Sequence, residues 1–358
     1  NMPRGKSVAD IMPPEPRAPG ILVVLPNWLG DAVMATPALR ALRRRFPDAR
    51  ITGVGKPSIC ALLKHFPHLD ALAQFPARAG LSAMFCAGRA LEPDASQMCV
   101  ILPHSFRAAL FARFTGAPVR VGFDRGGRRA LLTQALPWPK RRPIDYTAYE
   151  YLELVQSLGA QPDEEGLELG VAPLLLEEIR GRVAGTGPLV AFAPGAAFGP
   201  SKCWPVERYA AVADALAREH GARCLLLTGP DEREVRAAFL RLCRCEVIEP
   251  TGAASGVELL KAAVANCDIL VGNDSGPRHI AIAFKKPVVC IMGPTSPAYT
   301  QSPWERGEVL RVEVDCGPCQ RPVCRTDHRC MTRIEAQRVV AAVGRHLPDA
   351  GPLCLAPL

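Results

Sequence analysis

Four polar loops, each following an apolar segment, carry the residues of this 358-residue chain that are best placed for chemistry. The first, PNWLGD, brings Asp31 just past the apolar run Ile21–Leu25. Ligands of parallel sheets bind beyond the carboxyl ends of the strands, so an acid there suits a general base facing a cleft. Alternatively, Asp31 caps the next helix, since a carboxylate accepts the free N–H groups of a first turn.

The second and third loops suit the phosphates and the ribose of a nucleotide. APGAAFGPSKCWP places Lys202 near a predicted helix start, which favours a phosphate site, although an exposed surface lysine fits the sequence equally well. No Walker or dinucleotide motif is matched. In LLLTGPDER, either Asp231 or Glu232 follows a strand as ribose-binding acids do. Such acids are more often ordinary first-turn residues of a helix.

The fourth loop, VGNDSGPRHIAIAF, concentrates the most polar groups between an apolar strand and an apolar helix. Ser275, Gly276 and the helix N-terminus offer donors to an anion. Asp274 is a candidate for sugar hydroxyls. His279 is a candidate ligand residue, but a core or capping histidine is equally compatible with the pattern.

Apolar runs alternate with helical patterns along the whole chain, which predicts an α/β protein. Strands are predicted near 21–25, 50–54, 98–102, 118–122, 189–193, 223–228, 245–248, 269–272 and 288–292. Helices are predicted near 37–45, 58–65, 105–114, 145–158, 206–220, 231–242, 257–265, 277–284 and 334–346. Strands that are apolar throughout are buried on both faces, as in parallel sheets covered by helices. Two such series predict two doubly wound, Rossmann-like domains, with a ligand between them and a boundary in the Pro-, Gly- and acid-rich residues 161–174. The predicted segments are a disordered leader at 1–20, domains at 21–170 and 171–330, and a crossover helix and tail at 331–358.

Composition restricts the class of protein without selecting a function. The net charge of +8 suits an anionic partner such as a nucleotide, an acidic lipid surface or nucleic acid, but selects none of them. No apolar run is long enough to span a bilayer, and the first twenty residues lack a secretory pattern. Together with 14 cysteines, these features predict a reducing cytoplasm.

A cysteine cluster follows the fourth loop. CGPCQRPVCRTDHRC contains Cys316, Cys319, Cys324 and Cys330, a set that can surround one tetrahedral zinc or iron ion. The spacing matches no standard zinc finger or ribbon, so a reduced loop without metal is the alternative. Any such ion is expected to be structural.

The four loops, in this order, resemble the bacterial ADP-heptose transferases of glycosyltransferase family 9, which build the inner core of lipopolysaccharide. LPNWLGDAVMATPALRALRRRFP, PGAAFGPSKCWP, GNDSGPRHIA and VVCIMGPTSP carry the resemblance, which is greater to heptosyltransferases of type II than of type I. It implies a GT-B fold, with the acceptor on the first domain and the nucleotide sugar on the second.

The resemblance also implies roles for individual residues in an inverting, metal-independent transfer. Asp31 becomes the base. Lys202, Ser275, Gly276 and Thr295 stabilise the diphosphate, Asp274 orients the donor heptose, and Glu232 holds the ribose. LPHSFRAALFARF adds His104, Ser105 and Arg107 as acceptor-side candidates.

The implied acceptor is a lipid A core at the cytoplasmic face of the inner membrane, with which the chain is expected to associate peripherally. Basic groups at 43–45, 125–129 and 140–142 suit acceptor phosphates or the bilayer, although solvated basic surfaces would contain the same residues.

Three other functions remain open. They are a family member using another activated sugar or a protein acceptor, an inactive homologue, and a metal-containing nucleic-acid binder. Aromatic residues form only 6% of the chain and are scattered, which disfavours a stacking surface for nucleic acid, and we expect no nucleic-acid partner.

Overall fold

The structure, a computed structural model, describes residues 20–76, 80–91, 96–138, 145–254 and 256–347. The chain divides into two compact units, Asn1–Gly166 and Leu167–Leu358. The division falls inside residues 161–174, the stretch that the sequence marks as a boundary.

The first unit is a six-stranded parallel sheet with helices between the strands. The strand order is β3-β2-β1-β4-β5-β6. The strands are β1 (Gly20–Val24), β2 (Arg50–Gly55), β3 (Ala71–Gln74), β4 (Ser96–Ile101), β5 (Val119–Phe123) and β6 (Gln134–Leu136). The helices are α1 (Leu29–Met34), α2 (Thr36–Arg45), α3 (Pro57–Leu63), α4 (Leu81–Arg89), α5 (Phe106–Phe114) and α6 (Thr147–Gln156).

The second unit repeats this topology. Its strand order is β12-β11-β10-β7-β8-β9. The strands are β7 (Leu189–Ala193), β8 (Arg223–Leu226), β9 (Val247–Ile248), β10 (Ile269–Asn273), β11 (Val288–Ile291) and β12 (Gly307–Leu310). The helices are α7 (Pro173–Arg182), α8 (Val206–His220), α9 (Arg233–Leu242), α10 (Gly256–Asn266), α11 (Gly276–Ala283), α12 (Pro297–Thr300), α13 (Arg329–Thr332) and α14 (Ala336–Gly344).

The central strands β1, β7 and β10 are buried along their whole length, as their apolar sequences predict. Every residue of β1, β7 and β10 is buried. In the second unit, α14 packs on α8 and contributes Val339 and Val343 to the core, so the predicted C-terminal crossover helix lies within this unit. No helix in the described parts of the chain combines the length and the apolarity needed to cross a membrane.

Each sheet has one point at which the strand order reverses. It lies between β1 and β4 in the first unit and between β7 and β10 in the second. Connections leave these neighbouring strands toward opposite faces, which opens a crevice at their carboxyl ends where ligands of such sheets bind. The loop with Asp31 follows β1, and the loops with Lys202 and Asp274 follow β7 and β10. The fold therefore places the predicted residues at both reversal points.

The sequence predicted most elements of the sheets to within two residues, but not their edges. The strands β3, β6 and β12 were not predicted, and the predicted strand Cys245–Ile248 is shortened to the two residues of β9. The helices α1, α4, α7, α12 and α13 were also not predicted.

Candidate active site

The loops after β7 and β10 are joined by an ion pair. Lys202 Nζ donates to Asp274 Oδ2 at 2.7 Å and to the backbone oxygen of Asp274 at 2.9 Å. The two residues are 72 positions apart in sequence, and their side chains are only 12% and 2% exposed. Two residues that the sequence singled out separately thus form one buried unit.

Arg278, which the sequence analysis did not identify, completes this charge network. Its guanidinium donates to Asp274 Oδ1 at 2.8 Å and makes two bonds to the carboxylate of Glu305, at 2.7 and 2.6 Å. Thr295 Oγ1 donates to Asp274 Oδ2 at 2.7 Å. Burial alone would raise the pKa of Asp274, but the charges of Arg278 and then Lys202 outweigh it and hold that pKa well below its usual range. Asp274 is therefore an ionised anchor for three donors.

The helix N-terminus beside this network carries unsatisfied polar groups. Ser275 precedes Gly276 at the start of α11, and its buried Oγ has no hydrogen-bond partner among the described residues. The buried Nδ1 of His279 also has none in that part of the chain. Burial, followed by the charge of Arg278, lowers the pKa of His279 to about 3. His279 is therefore a neutral imidazole at physiological pH, and it offers hydrogen bonds rather than a positive charge to a ligand.

Asn273, the last residue of β10, fixes the loop after β7, which carries Lys202. Its Oδ1 accepts the Trp204 N–H at 3.1 Å and the Tyr209 hydroxyl at 2.9 Å. Its Nδ2 donates to the backbone oxygen of Pro194 at 2.7 Å. The fully buried amide thus ties β10 to both ends of the loop after β7. The sequence placed Asn273 in the richest loop but gave no indication of this role.

Glu232, which directly precedes α9 in the loop after β8, lies against the start of the loop after β7. A Cβ added at Gly195 would come within 1.7 Å of Glu232 Oε1. Glu232 Oε2 also accepts the Gly229 N–H at 2.7 Å, whereas the neighbouring Asp231 is exposed. Of the two acids that the sequence left open, Glu232 is the one beside the loop that carries Lys202.

The cysteine-rich segment, residues 316–330, packs on the loop after β7 that carries Lys202. His328 Nε2 donates to the Ser201 backbone oxygen at 2.7 Å, and the Ser201 N–H donates to the Pro322 oxygen at 3.1 Å. A Cβ at Gly199, where φ is +144°, would lie 2.4 Å from the same Pro322 oxygen. This close approach requires glycine. The segment therefore acts as a brace behind Lys202.

The cysteine sulfurs of this segment lie further apart than the sulfurs of a metal-loaded site. Cys316, Cys319, Cys324 and Cys330 line one cavity of about 320 Å³. Among the described residues, no three of these four sulfurs lie within 4.8 Å of one another. Four-coordinate zinc–thiolate sites place their sulfurs about 3.8 Å apart. Metal binding by these four cysteines stays a prediction, and it would require the sulfurs to draw together.

In the first unit, Asp31 lies in the first turn of α1 and is partly exposed. Its charge reaches Tyr151 of α6: burial raises the pKa of that tyrosine well above its usual range, and the charges of Asp31 and Glu150 add to the shift. The capping position of α1 is occupied by Trp28, whose side chain makes no capping hydrogen bond. Asp31 lies three positions further on, inside the first turn, and therefore does not occupy the capping position. Its location at the reversal point suits the predicted base, and the base role stays a prediction.

His104 follows β4, across the reversal point from the Asp31 loop, and lies in an aromatic and acidic setting. Its Nε2 is hydrogen-bonded to Glu150, and its ring meets Trp138 edge-on at 4.6 Å between centroids. Of the other two acceptor-side candidates, Ser105 caps α5 by accepting the Ala108 N–H at 3.2 Å, and Arg107 donates to the Pro76 oxygen at 2.8 Å. Glu150 and Trp138, which the sequence did not indicate, share the His104 site.

Arg128 is a buried cation in the same region. Its Nε donates to the Phe123 oxygen at 2.9 Å and its Nη1 to the Pro103 oxygen, just before His104. Its buried Nη2 has no partner among the described residues. Burial lowers the pKa of Arg128 to about 10, against the opposing charge of Glu150. A buried charged N–H without an acceptor indicates a place for an anionic or hydroxyl ligand.

The three predicted basic groups have different environments. Arg43 pairs with Asp70 and Arg44 with Asp163, so the first group is largely engaged within the unit. Arg125 stacks on Trp138, with 4.8 Å between the guanidinium carbon and the ring centroid. The group at 140–142 lies outside the described residues.

Comparison with known proteins places this arrangement in a family. The family model described as glycosyltransferase family 9 (heptosyltransferase) matches residues 84–329. The chain belongs to glycosyltransferase family 9. It is an enzyme of the transferase class, and the resemblance drawn from its four loops is confirmed.

Relatives of this family-9 chain include heptosyltransferases of type 2. The lipooligosaccharide heptosyltransferase 2 of Haemophilus influenzae is 29% identical over 308 residues, covering 82% of this chain and 88% of the relative. The lipopolysaccharide heptosyltransferase 2 of Escherichia coli K12 is 29% identical over 313 residues, with the same coverage. A solved structure of the E. coli ADP-heptose lipopolysaccharide heptosyltransferase II matches with a TM-score of 0.78 and 25% identity, covering 91% of this chain and 98% of that one.

The fold of the family-9 chain is the predicted one. Two six-stranded parallel α/β sheets, matched along almost their whole length by that solved structure, form a GT-B protein. The boundaries predicted for the functional domains and the roles predicted for single residues are not tested by these likenesses.

Proposed function

We propose that this protein transfers heptose from ADP-heptose to the inner core of lipopolysaccharide, with a lipid A core bearing Kdo and heptose as acceptor. The names of its relatives support ADP-heptose as the donor and lipopolysaccharide as the acceptor. The observation that carries the proposal is the Lys202–Asp274 pair beside the N-terminus of α11. It combines a cation, a buried anchor and the unsatisfied Ser275 hydroxyl at the reversal point of the second sheet.

The second unit receives the leaving diphosphate in this proposal. An ammonium has three N–H donors, and Asp274 takes two of those of Lys202 within the described residues. The third donor and the N–H groups of Ser275 and Gly276 bind the diphosphate, aided by Thr295. Fixed donors aimed at developing charge are often the largest contribution to such a transfer. Glu232 binds the ribose hydroxyls, and Asp274 orients the donor heptose by fixing its neighbours.

The first unit receives the acceptor. Asp31 takes the proton from the attacking acceptor hydroxyl, in a single displacement that inverts the anomeric carbon and needs no metal. His104, Ser105 and Arg107 line the acceptor side, and His104 is set by Glu150. The unsatisfied Nη2 of Arg128 supports a phosphate or hydroxyl ligand in the same region.

Replacing Lys202 with methionine tests the donor half. The variant keeps the aliphatic stem and removes the charge, so we expect the Kd for ADP to rise by about tenfold or more, as for a lost charge-assisted bond worth roughly 1.5–3 kcal/mol. Titration calorimetry with ADP measures it. Lys64→Met, at an exposed position of the first unit, is the matched control. Unchanged ADP affinity in the Lys202 variant would remove this residue from the donor site.

Replacing Asp31 with asparagine tests the base. A positioned base contributes roughly two to four powers of ten in rate, so kcat should fall by that factor while ADP binding stays normal. Asp48→Asn, an exposed acid of the same unit, is the control. Near-normal turnover by a folded Asp31 variant would leave the residue as an ordinary first-turn acid of α1.

Donor identity is tested by competition. With ADP-heptose and ADP-glucose at equal concentration and a heptose-bearing lipid A core as acceptor, we expect mass spectrometry to detect transfer of heptose only. Transfer from ADP-glucose at a similar rate would show that the chain uses another sugar.

We also propose that the protein acts at the cytoplasmic face of the inner membrane, without spanning it. The lipid-anchored acceptor and the basic residues Arg125 and Arg129 support this location. Flotation with vesicles of anionic and of neutral lipid tests it: binding should require anionic lipid and weaken with salt, because exposed charges are screened.

The cysteine-rich brace is proposed to hold a structural zinc or iron ion. The common cavity of its four cysteines and its hydrogen bonds to Ser201 support a role in stiffening the loop of Lys202. Elemental analysis of protein purified without chelator tests this. Cys316→Ser/Cys319→Ser protein should carry one ion fewer per chain than the wild type.

A further inference from the structure

Three cysteines that are separated in sequence meet in the second unit, away from the brace. Cys224 lies near the start of β8, Cys243 directly after α9, and Cys245 just before β9. Their sulfurs all lie within 4.8 Å of one another, and those of Cys243 and Cys245 are 3.4 Å apart. Among the described residues, this is the one group of three or more potential metal ligands that meets this spacing.

An acid from a neighbouring helix holds the loop of this cluster. Asp214 Oδ1, on α8, accepts the backbone N–H groups of Arg244 and Cys245 at 2.8 and 2.9 Å. The same oxygen lies 3.5 Å from Cys243 Sγ. In a tetrahedral zinc site, a thiolate sulfur at about 2.3 Å and a carboxylate oxygen at about 2.0 Å from the ion are also roughly 3.5 Å apart. The carboxylate thus lies where it can orient the loop or supply a further oxygen ligand.

We propose that Cys224, Cys243 and Cys245 bind a thiophilic cation, Zn²⁺ being the expected ion, with Asp214 or water as the fourth ligand. Each thiol gives its proton to solvent as its sulfur–metal bond forms, so binding releases protons and no oxidant or reductant is needed. Cys224 is buried, whereas Cys243 and Cys245 are partly exposed, which gives an ion access from one side.

A metal ion at this cluster would stabilise a weakly held edge of the second sheet. β9 consists of two residues at the edge of its sheet, and so short a strand contributes few hydrogen bonds. An ion would join β8, the end of α9 and the start of β9. The opposite end of α9 begins directly after Glu232, at the carboxyl edge of the sheet. The cluster is therefore separate from the proposed donor site, but it anchors the helix that follows the ribose-binding acid.

The competing interpretation is that these thiols only fill the core. Cys224 belongs to the apolar core of the second unit, and Cys243 and Cys245 pack against it. Cysteine behaves as a small apolar residue when buried. The mutual approach of three sulfurs beside a carboxylate distinguishes this cluster from Cys267 and Cys290, which are buried singly.

The test compares zinc content in two backgrounds, because the brace contains cysteines as well. Full-length protein is purified under reducing conditions without chelator, and zinc is counted by elemental mass spectrometry. We expect Cys243→Ser/Cys245→Ser protein to carry one zinc ion fewer per chain than its parent, in the wild type and in the Cys316→Ser/Cys319→Ser background alike. Cys60→Ser, at a single partly buried cysteine, should lose none. Equal zinc in variant and parent would overturn the proposal.

Thiol labelling of the wild-type chain gives a second test that does not depend on variants that fold. Adding Zn²⁺ should slow alkylation of Cys243 and Cys245 by roughly tenfold or more, because a metal-bound sulfur is a poor nucleophile. The exposed Cys86 should react at an unchanged rate. Unchanged labelling of the pair, or a Cys243–Cys245 disulfide in protein kept reduced, would overturn the site.

Discussion

Replacing Asp274 with asparagine tests whether the buried charge network holds the donor loops together. The carboxylate accepts three side-chain donors, from Lys202, Thr295 and Arg278, at 2.7, 2.7 and 2.8 Å. An asparagine of the same shape offers one oxygen in place of two. If that oxygen keeps Lys202 and Thr295, the amide N–H₂ faces the guanidinium of Arg278, and two donors meet.

The expected loss of stability follows from these contacts. At least one charge-assisted hydrogen bond disappears, worth about 1.5–3 kcal/mol, and a buried charged N–H is left without its acceptor, at about 1–3 kcal/mol. The sum agrees with the loss of about 3–5 kcal/mol on breaking a buried ion pair. Arg278 keeps its two bonds to Glu305, which limits the loss to the lower part of that range. We therefore expect a decrease of about 3 kcal/mol in the free energy of unfolding of the second unit.

Urea unfolding followed by tryptophan fluorescence measures this decrease. In a Trp28→Phe/Trp138→Phe background the remaining tryptophans, Trp204 and Trp304, both lie in the second unit and report on it. Glu177→Gln is the matched control, because its pair with Arg180 is largely exposed and should contribute less than about 1 kcal/mol. A loss below 1 kcal/mol in the Asp274 variant would refute the argument that the network holds the loops.

The same variant has a defined pH dependence. The pKa of Asp274 is lower in the folded protein than in the unfolded chain, so its stabilising effect is complete above about pH 4. That effect is lost as pH falls through the lower, folded-state pKa. The difference in stability between wild type and Asp274→Asn should therefore be constant from pH 5 to 7 and shrink in stronger acid. A difference that shrank between pH 7 and 5 would implicate another group.

Three further predictions concern neighbouring groups. Gly195→Ala should displace the Glu232 carboxylate, which lies within 2 Å of the new methyl carbon, and should weaken ADP binding measured by calorimetry. Gly181→Ala, at a position with open space around it, should leave ADP binding unchanged. The pKa of His279 is about 3 in the folded protein and near 6.5 in the unfolded chain. The stability of the wild type relative to His279→Gln, measured by urea unfolding, should therefore fall as pH drops from 7 to 4. Equal pH profiles of the two proteins would contradict this. Glu150→Gln should raise the KM for acceptor while leaving the Kd for ADP unchanged, and a change in ADP affinity would place this acid in the donor site instead.

Sequence patterns predicted the parts of the fold that depend on burial. Runs such as Leu189–Ala193 are apolar throughout because both faces of a central strand are covered, and the structure begins and ends β7 at the same residues. The edge strand Ala71–Gln74 escaped prediction because it is short and only half-buried, so its sequence is mixed. A strand that is covered on one face only has a weaker apolar sequence pattern than a strand covered on both faces.

The site was predictable residue by residue but not as a set of contacts. Lys202 and Asp274 were each identified from their loops, yet only the fold shows that they form a pair. Arg278 follows Asp274 by four positions, the spacing that brings opposite charges together on a helix, so this pair is predictable from the sequence. In the cluster at Cys224, only Cys243 and Cys245 are close in sequence, and Cys224 joins them only when β8 and β9 pair.

The charges of the donor network show that the site binds an anion by directed donors and not by net charge. Lys202 and Arg278 are offset by Asp274 and Glu305, so these four groups sum to zero, and burial of that set without a ligand does not leave an uncompensated charge. A diphosphate therefore is not attracted by a net positive cluster. It is bound by directed donors, namely the remaining N–H of Lys202, the N-terminus of α11 and the Ser275 hydroxyl. Such donors are fixed before the ligand arrives, and fixed dipoles stabilise the charge that develops on a leaving group without having to reorganise. A neutral, rigid network is thus better suited to releasing a nucleoside diphosphate after transfer than a cluster of unpaired lysines, which would hold the product.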